Sequence, residues 1–160
     1  GMRLAKHLHK QGAKLYVTDI HPENIEKAVI DFSAIAVSPE DIYDLDVDVF
    51  SPCAMGAILD PQNIKKLKAK VIAGAANNQL AKEEFGQLLA DKGILYAPDY
   101  VINAGGIIDI YHQSISSSDE GLRNHIEKIS DTLLEIYRRA QSQGIATNIV
   151  ANQIAEERFS

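Results

Sequence analysis

The stretch from residue 47 to residue 78 reads VDVFSPCAMGAILDPQNIKKLKAKVIAGAANN and contains a strand, a helix and a second strand in succession. The apolar run Val47–Phe50 is closed by Ser-Pro, and Val71–Ala75 is another run of the same kind. Between them, Asn63–Leu67 has the spacing of a short helix. Two strands joined by a helical crossover pair in parallel, so this stretch predicts an α/β fold.

The same alternation continues on both sides of this stretch. The expected elements are a helix from Met2 to Gly12, a strand over Leu15–Val17, a helix over Glu23–Ile30, a strand over Ala34–Val37, a helical turn over Pro39–Leu45, a helix over Lys82–Lys92 and a last strand over Leu95–Ala97. Helices and strands that alternate in this way predict a doubly wound, Rossmann-type sheet.

The pattern changes after residue 113. Ser114–Glu120 is a polar linker rich in helix-capping residues, and Leu122–Ala140 is a long helical stretch without Gly or Pro. Its apolar stripe is formed by Leu122, Ile126, Ile129, Leu133 and Ile136. After the break at Gly144, Asn148–Arg158 forms a last helical segment. We therefore expect a Rossmann-type domain over residues 1–113 and a helical tail over residues 114–160 that packs on it.

Composition restricts the partners that this chain would have. It has 160 residues, of which 46% are apolar, and its 22 acidic and 16 basic residues give a net charge of −6. This balance provides no general attraction to DNA or to an anionic membrane, so we expect neither partner. The single cysteine, Cys53, and the absence of a signal-peptide pattern at the start of the sequence favour a cytoplasmic location.

The first indication of a binding site is an acidic residue at the end of a predicted strand. Asp19 closes the strand Leu15–Val17 and lies eighteen residues after Gly1. In a dinucleotide-binding unit, the third fingerprint glycine begins the intervening helix, and the acid receives the adenosine ribose hydroxyls. Gly1 fits that glycine, so we expect the first strand and the first two glycines to precede this sequence. Asp19 then favours NAD over NADP; the alternative is an ordinary turn aspartate before His21-Pro22.

Two further strands are followed by small or amide residues. Cys53 and Ala54 follow Val47–Phe50, at the carboxyl edge where open α/β sheets bind ligands. Asn77 and Asn78 follow the next strand and offer neutral donors and acceptors suited to a ribose, a carboxamide or a carboxylate. The alternatives are a buried structural cysteine and an asparagine turn. We predict no thiol nucleophile.

The stretch from Ala97 to Ile110 reads APDYVINAGGIIDI. Asn103 precedes two adjacent glycines, which permit close backbone approach to a ligand. Ile107 and Ile110, three residues apart, share one face of the following helix. They form either the wall of a hydrophobic substrate pocket or ordinary core.

Metal binding has little support in the sequence. The five histidines show no metal-ligand spacing with acids or cysteine, and we interpret them as surface or capping residues. The acid-rich segment around residues 39–48 is expected to be a solvated loop edge. No pair of carboxylates is placed for general acid and base catalysis, so we expect neither a metal nor a catalytic group in this chain.

Taken in order, GMRLAKHL, VTDI, SPCAMGAIL, AKVIAGAANNQL and YAPDYVINAGGII resemble the nucleotide-binding domain of the glutamate, leucine, phenylalanine and valine dehydrogenase family, most of all its leucine dehydrogenase branch. The resemblance extends in outline through NQIAEERF near the end. It implies oxidative deamination of an L-amino acid, with leucine or a related branched-chain amino acid as substrate and NAD as the hydride acceptor.

The resemblance also implies roles for individual residues. Gly1, Asp19 and Ile20 would hold the adenosine side of NAD, and Cys53 and Ala54 would line the dinucleotide groove. The side chains that would face the nicotinamide ribose, the carboxamide or the substrate's polar end are Asn77, Asn78 and Asn103. Ile107 and Ile110 would help form an aliphatic side-chain pocket.

The family's catalytic lysines and acid belong to a substrate domain that nothing in this chain matches. The resemblance therefore implies that this chain is inactive alone, that it works with an N-terminal substrate domain, and that the whole enzyme is a homo-oligomer. Two alternatives stay open: another amino-acid substrate, such as Phe, Val or Glu, or a module that senses a dinucleotide without chemistry. Asp109 stands where leucine dehydrogenases commonly have Asn, a departure that bears on the identity of the substrate more than on the class of cofactor.

Overall fold

The structure is a computed structural model that describes residues 1–159 and has the predicted α/β fold. Its elements in chain order are α1 (Met2–Lys10), β1 (Tyr16–Val17), α2 (Pro22–Phe32), β2 (Ile35–Ala36), a 3₁₀ turn (Asp41–Tyr43), β3 (Val49–Phe50), α3 (Pro61–Lys66), β4 (Val71–Ile72), α4 (Phe85–Asp91), β5 (Leu95–Tyr96), α5 (Asp99–Ile102), α6 (Gly105–Ser114), α7 (Asp119–Gln143) and α8 (Thr147–Phe159). Every predicted strand and helix has a counterpart, whereas the four-residue α5 was not predicted.

The chain divides into two compact units. The first comprises residues 1–46 and 66–68, and the second comprises the other described residues. In the first unit β1 and β2 pair in parallel, with Tyr16 opposite Ile35. The rings of His9 and Phe32, on α1 and α2, lie 5.9 Å apart. α1 ends at Lys10 and is followed by the C-cap Gln11, and Gly12 has a φ of +80°, the left-handed conformation that suits glycine.

The second unit contains a parallel sheet of three strands in the order β3-β4-β5. Val49 lies opposite Val71, and Val71 lies opposite Leu95. Leu59, Ile72 and Leu89 are fully buried around this sheet. The second residue of each strand (Phe50, Ile72 and Tyr96) is buried, whereas Val49 and Leu95 are exposed.

The strands of each sheet are parallel and are joined by helices. β1 and β2 are connected through α2, β3 and β4 through α3, and β4 and β5 through α4. Helical crossovers between parallel strands are the repeating unit of a doubly wound, dinucleotide-binding fold.

The helical tail packs within the second unit. Ser118 caps α7 by accepting a hydrogen bond from the Gly121 backbone at 3.1 Å, and Gly144 ends that helix. Buried side chains of α7 and α8 form one cluster, which consists of Ile136, Ala140, Val150, Ala151 and Ile154. The expected apolar stripe of α7 is buried at Leu133 and Ile136, but Ile126 near its start is 38% exposed. The predicted division after residue 113 falls within the last turn of α6 and stays a prediction.

Gly74 gives the first testable prediction. A Cβ added there would collide with the backbone of Pro52, so the loops after β3 and β4 can lie side by side only when residue 74 is glycine. We expect Gly74→Ala to lower the free energy of unfolding by about 1–3 kcal/mol, the usual cost of overpacking. Gly106→Ala is the control, because a Cβ there meets open space. The midpoints of urea unfolding measure the stability of the two variants. Equal midpoints for Gly74→Ala and Gly106→Ala would contradict the packing argument.

Candidate functional site

Asp19 lies just after β1 in the first unit, and both of its carboxylate oxygens are already hydrogen-bonded. Oδ1 accepts from the His21 backbone N–H at 2.9 Å, and Oδ2 accepts from the Asn24 side chain at 3.2 Å. The pKa of Asp19 is lowered, mainly by the His21 backbone donor, while desolvation opposes this effect. This is the turn aspartate considered as an alternative. A carboxylate has about four lone-pair sites, so it can still accept further donors such as ribose hydroxyls.

The residues on either side of Asp19 differ in exposure. The Ile20 side chain is 78% exposed. The Thr18 hydroxyl oxygen is buried and has no hydrogen-bond partner among residues 1–159. In the same unit, α1 begins after Gly1. Among the described residues, no side chain caps this helix start, and its first turn contains no acidic residue. Such a helix start leaves backbone donors and the positive end of the dipole for an anion.

In the second unit, the loops that follow β3 and β4 are bonded to each other. The Ser51 hydroxyl donates to the Ala73 carbonyl at 2.7 Å, and the Ala76 backbone donates to the Pro52 carbonyl at 3.0 Å. Cys53 is half-buried, with its Sγ 3.7 Å from the Ser51 hydroxyl oxygen, and Ala54 is exposed. The Cys53-Ala54 segment is therefore on the surface at the carboxyl end of β3, where it was predicted to lie.

The structure brings two of the three predicted asparagines together. The Asn103 amide nitrogen donates to the Asn77 side-chain oxygen at 2.6 Å, although the two residues are 26 positions apart. Asn78 has a φ of +52°, a turn conformation that Asn tolerates, and its carbonyl accepts from the Ala57 backbone at 2.6 Å. Asn77 and Asn103 thus form one amide pair beyond the ends of β4 and β5, while Asn78 shapes the turn.

The predicted aliphatic pair lies on the open face of α6. Ile107 is 67% exposed and Ile110 is 63% exposed, whereas Ile108 between them is 8% exposed. The alternative that the pair is ordinary core therefore does not hold within this unit. The pair therefore forms an apolar surface. Just before it, the positions where a Cβ of Gly105 or Gly106 would stand face open space.

Sequence reasoning missed a buried polar network next to the asparagines. Asp99 accepts from the Gln79 backbone at 2.7 Å and from the Tyr96 hydroxyl at 3.0 Å. All three residues are buried. The pKa of Tyr96 is raised, first by burial and then by the Asp99 charge. A proline followed by an acid signals only a helix start, so the sequence contained no sign of these contacts.

A second missed contact joins α6 and α7. His112 Nε2 and His125 Nδ1 lie 3.0 Å apart, which is hydrogen-bond distance, and both rings contact Tyr111 edge-on. The predicted surface position is confirmed for His125, which is exposed, whereas His112 is partly buried; the two rings pair with each other. Across residues 1–159, no group of three or more His, Cys, Asp or Glu side chains could hold a metal ion. No helix in that range is both long and apolar enough to cross a membrane.

These features define a class: a doubly wound α/β fold of the Rossmann type, in which polar side chains follow the carboxyl ends of parallel strands in each unit. The chain belongs to the Glutamate/Leucine/Phenylalanine/Valine dehydrogenase family, whose sequence model matches residues 4–159. The family resemblance predicted from the motifs is thereby confirmed.

Individual relatives are similar over nearly the whole chain. A leucine dehydrogenase from Thermoactinomyces intermedius is 48% identical over 98% of this chain and 43% of its own length. The crystal structure of L-tryptophan dehydrogenase from Nostoc punctiforme matches with a TM-score of 0.96 and 48% identity, over 99% of this chain and 47% of that one. A glutamate dehydrogenase from Thermus thermophilus, at 20% identity and a TM-score of 0.70 over 96% of this chain and 42% of its own, shares the fold. The chain spans about half the length of the curated relatives that it matches.

Tyr100, the neighbour of Asp99, gives a prediction about pH. Its hydroxyl donates to the Asn152 side chain at 2.7 Å, and burial raises its pKa to about 12. The folded state therefore holds this proton more tightly than the unfolded state, whose tyrosine pKa is about 10, so stability is lost as pH rises from about 10 to about 12. We expect Tyr100→Phe to make this loss less steep, measured as urea midpoints across that range. An unchanged slope would contradict the assignment.

Proposed function

We propose that this chain is the NAD-binding half of an L-amino-acid dehydrogenase. In the whole reaction an L-amino acid, water and oxidised NAD give a 2-oxo acid, ammonium, reduced NAD and a proton. Family membership over residues 4–159 is the observation that carries the proposal. The preferred substrates are leucine and related branched-chain amino acids.

Asp19 is the residue that selects NAD in this proposal. Its carboxylate is oriented by His21 and Asn24 and still has lone pairs for the two adenosine ribose hydroxyls. A phosphate on the ribose would meet this negative charge, which disfavours NADP. Ile20 provides an exposed apolar surface for the adenine, and the uncapped start of α1 after Gly1 suits a pyrophosphate.

The second unit would hold the nicotinamide end. Cys53 and Ala54 would line the groove, where small side chains permit close approach. The neutral amides of Asn77, Asn78 and Asn103 suit the nicotinamide ribose, the carboxamide or the polar end of the substrate. When bound, NAD accepts a hydride from the substrate's α-carbon; the residues of this chain orient the reacting partners.

Ile107 and Ile110 would form one wall of the substrate side-chain pocket. Their exposure leaves them free to contact a ligand, and a branched aliphatic side chain would pack well against them. One methylene changes binding by only about 1–3 kcal/mol, so selectivity among Leu, Ile and Val should be loose. An aromatic substrate is the second candidate, because relatives of comparable identity are L-tryptophan and phenylalanine dehydrogenases.

The catalytic side chains would come from a substrate domain outside this sequence, as the family resemblance implies. This chain alone would therefore be inactive, and the whole enzyme would be a homo-oligomer. The single cysteine of this chain, Cys53, suits the reducing cytoplasm in which we place the enzyme.

Cofactor selectivity tests the role of Asp19. We expect the whole protein to bind NAD about tenfold or more tightly than NADP, because like charges brought together cost several kcal/mol. Asp19→Ser should lower the ratio of the affinity for NAD to the affinity for NADP. Glu23→Gln is the control: it removes an equal charge from the exposed first turn of α2 and should leave this ratio unchanged. Calorimetric titration with each dinucleotide gives the affinities. Tighter binding of NADP by the unaltered protein would refute the argument.

A substrate panel tests the reaction and the pocket. We expect reduction of NAD with Leu, Ile and Val, and Ile107→Ala with Ile110→Ala should move the preference towards bulkier side chains by about tenfold in kcat/KM. Ile115→Ala is the control, since it removes another exposed isoleucine just beyond α6. Turnover with Phe or Trp but not Leu would support the aromatic candidate instead. NAD binding without any amino-acid-dependent reduction would favour the non-catalytic sensor.

A further inference from the structure

The Asn77–Asn103 pair depends on a loop that is closed on itself. Gln79 is fully buried, and its side-chain amide donates to the carbonyls of Gly74 and Ala76, both at 2.9 Å. These two carbonyls lie in the loop that leads from β4 to Asn77. The side chain of Gln79 therefore holds the start of the loop, while its backbone forms the end.

Asp99 holds the end of the same loop. Its carboxylate accepts from the Gln79 backbone N–H at 2.7 Å, two residues after Asn77. The Tyr96 hydroxyl donates to the same carboxylate oxygen at 3.0 Å and so fixes its direction from β5. Both of these donors are buried, so each would lose a partner that water cannot replace if the carboxylate were removed.

Asp99 also begins the helix that carries the other asparagine. α5 runs from Asp99 to Ile102, and the Asn103 backbone donates to the Asp99 carbonyl at 2.9 Å. The Asn103 side chain then reaches Asn77 at 2.6 Å. One residue is thus bonded to both halves of the amide pair: through Gln79 to Asn77, and through one helical turn to Asn103.

We propose that Asp99, oriented by Tyr96 and acting through Gln79, is a positioning residue that sets the geometry of the Asn77–Asn103 pair. This inference rests on the proposed function, in which that pair orients the nicotinamide or the substrate. Asp99 is 7% exposed, and its carboxylate is bonded to Gln79 and Tyr96, so its effect on the pair passes through the loop. A displacement of about 1 Å in such a site lowers the rate by up to about a hundredfold.

The test uses the whole enzyme with three variants. Asp99→Asn keeps an oxygen that can accept from Gln79 and Tyr96 but loses the charge, whereas Asp99→Ala loses both acceptors. Thr147→Val is the matched control: the Thr147 hydroxyl donates to the Tyr96 carbonyl at 2.8 Å, so this variant also loses a buried hydrogen bond beside β5 but leaves the loop untouched.

We expect kcat to fall about tenfold in Asp99→Asn and up to about a hundredfold in Asp99→Ala, with the affinity for NAD changed less than kcat. Thr147→Val should keep kcat within about twofold at a similarly lowered melting temperature. Equal losses of kcat in Asp99→Asn and the control would show a merely structural role and overturn the proposal. If Asp99→Ala does not fold, the kcat values of Asp99→Asn and Tyr96→Phe are compared with that of Thr147→Val instead.

A crystal structure of Asp99→Ala, or of Tyr96→Phe if that variant does not fold, separates this inference from the proposed function. We expect the distance between Asn77 Oδ1 and Asn103 Nδ2 to lengthen beyond hydrogen-bond range, a readout that needs no activity. An unchanged pair would overturn the positioning role even in an active enzyme. A lengthened pair in a protein that does not oxidise amino acids would refute the proposed function while supporting the positioning role.

Discussion

The backbone contact between Pro52 and Gly74 is the constraint on which the second unit depends. The paired parts of β3 and β4 are only two residues long, so the ladder alone gives little control over the loops that follow. Because Gly74 has no side chain, the two loops pack directly and are joined by the Ala76 to Pro52 hydrogen bond. The Gly74 carbonyl then accepts from Gln79, so the turn that presents Asn77 begins at this contact. The amide pair, and any ligand it orients, depends on that arrangement.

The two aspartates at strand ends show how environment separates roles for one residue type. Asp19 is partly exposed and makes one backbone and one side-chain bond, which leaves acceptor sites for a ligand. Asp99 is buried, and its bonds to Gln79 and Tyr96 tie it to its surroundings. An exposed carboxylate at a strand end is therefore suited to recognition, whereas a buried one is suited to fixing the loops around it.

The strands and the helix ends could be predicted from the sequence, because each leaves a pattern in a few neighbouring residues. The apolar runs at Val47–Phe50 and Val71–Ala75 located two strands, and glycines marked the ends of α1 and α7. Sequence reasoning could not recover bonds between distant residues, such as Gln79 with Asp99, because periodicity describes one element at a time. Periodicity also showed that Ile126 shares a face with Ile136, but not that the neighbouring elements bury Ile136 and leave Ile126 exposed. For Asp19 the residues left two interpretations open, and the structure shows that the turn geometry still leaves acceptor sites.

The open face of α6 has a consequence for how this family diversifies. Ile108 anchors the helix in the core, while Ile107 and Ile110 project from it with about two thirds of their surface exposed. Substitutions at exposed positions usually change stability by no more than about 0.5 kcal/mol. Mutation can therefore sample many side chains at these two positions without threatening the fold. If they contact the substrate, a new preference can evolve on this helix while the buried residues of the unit stay the same.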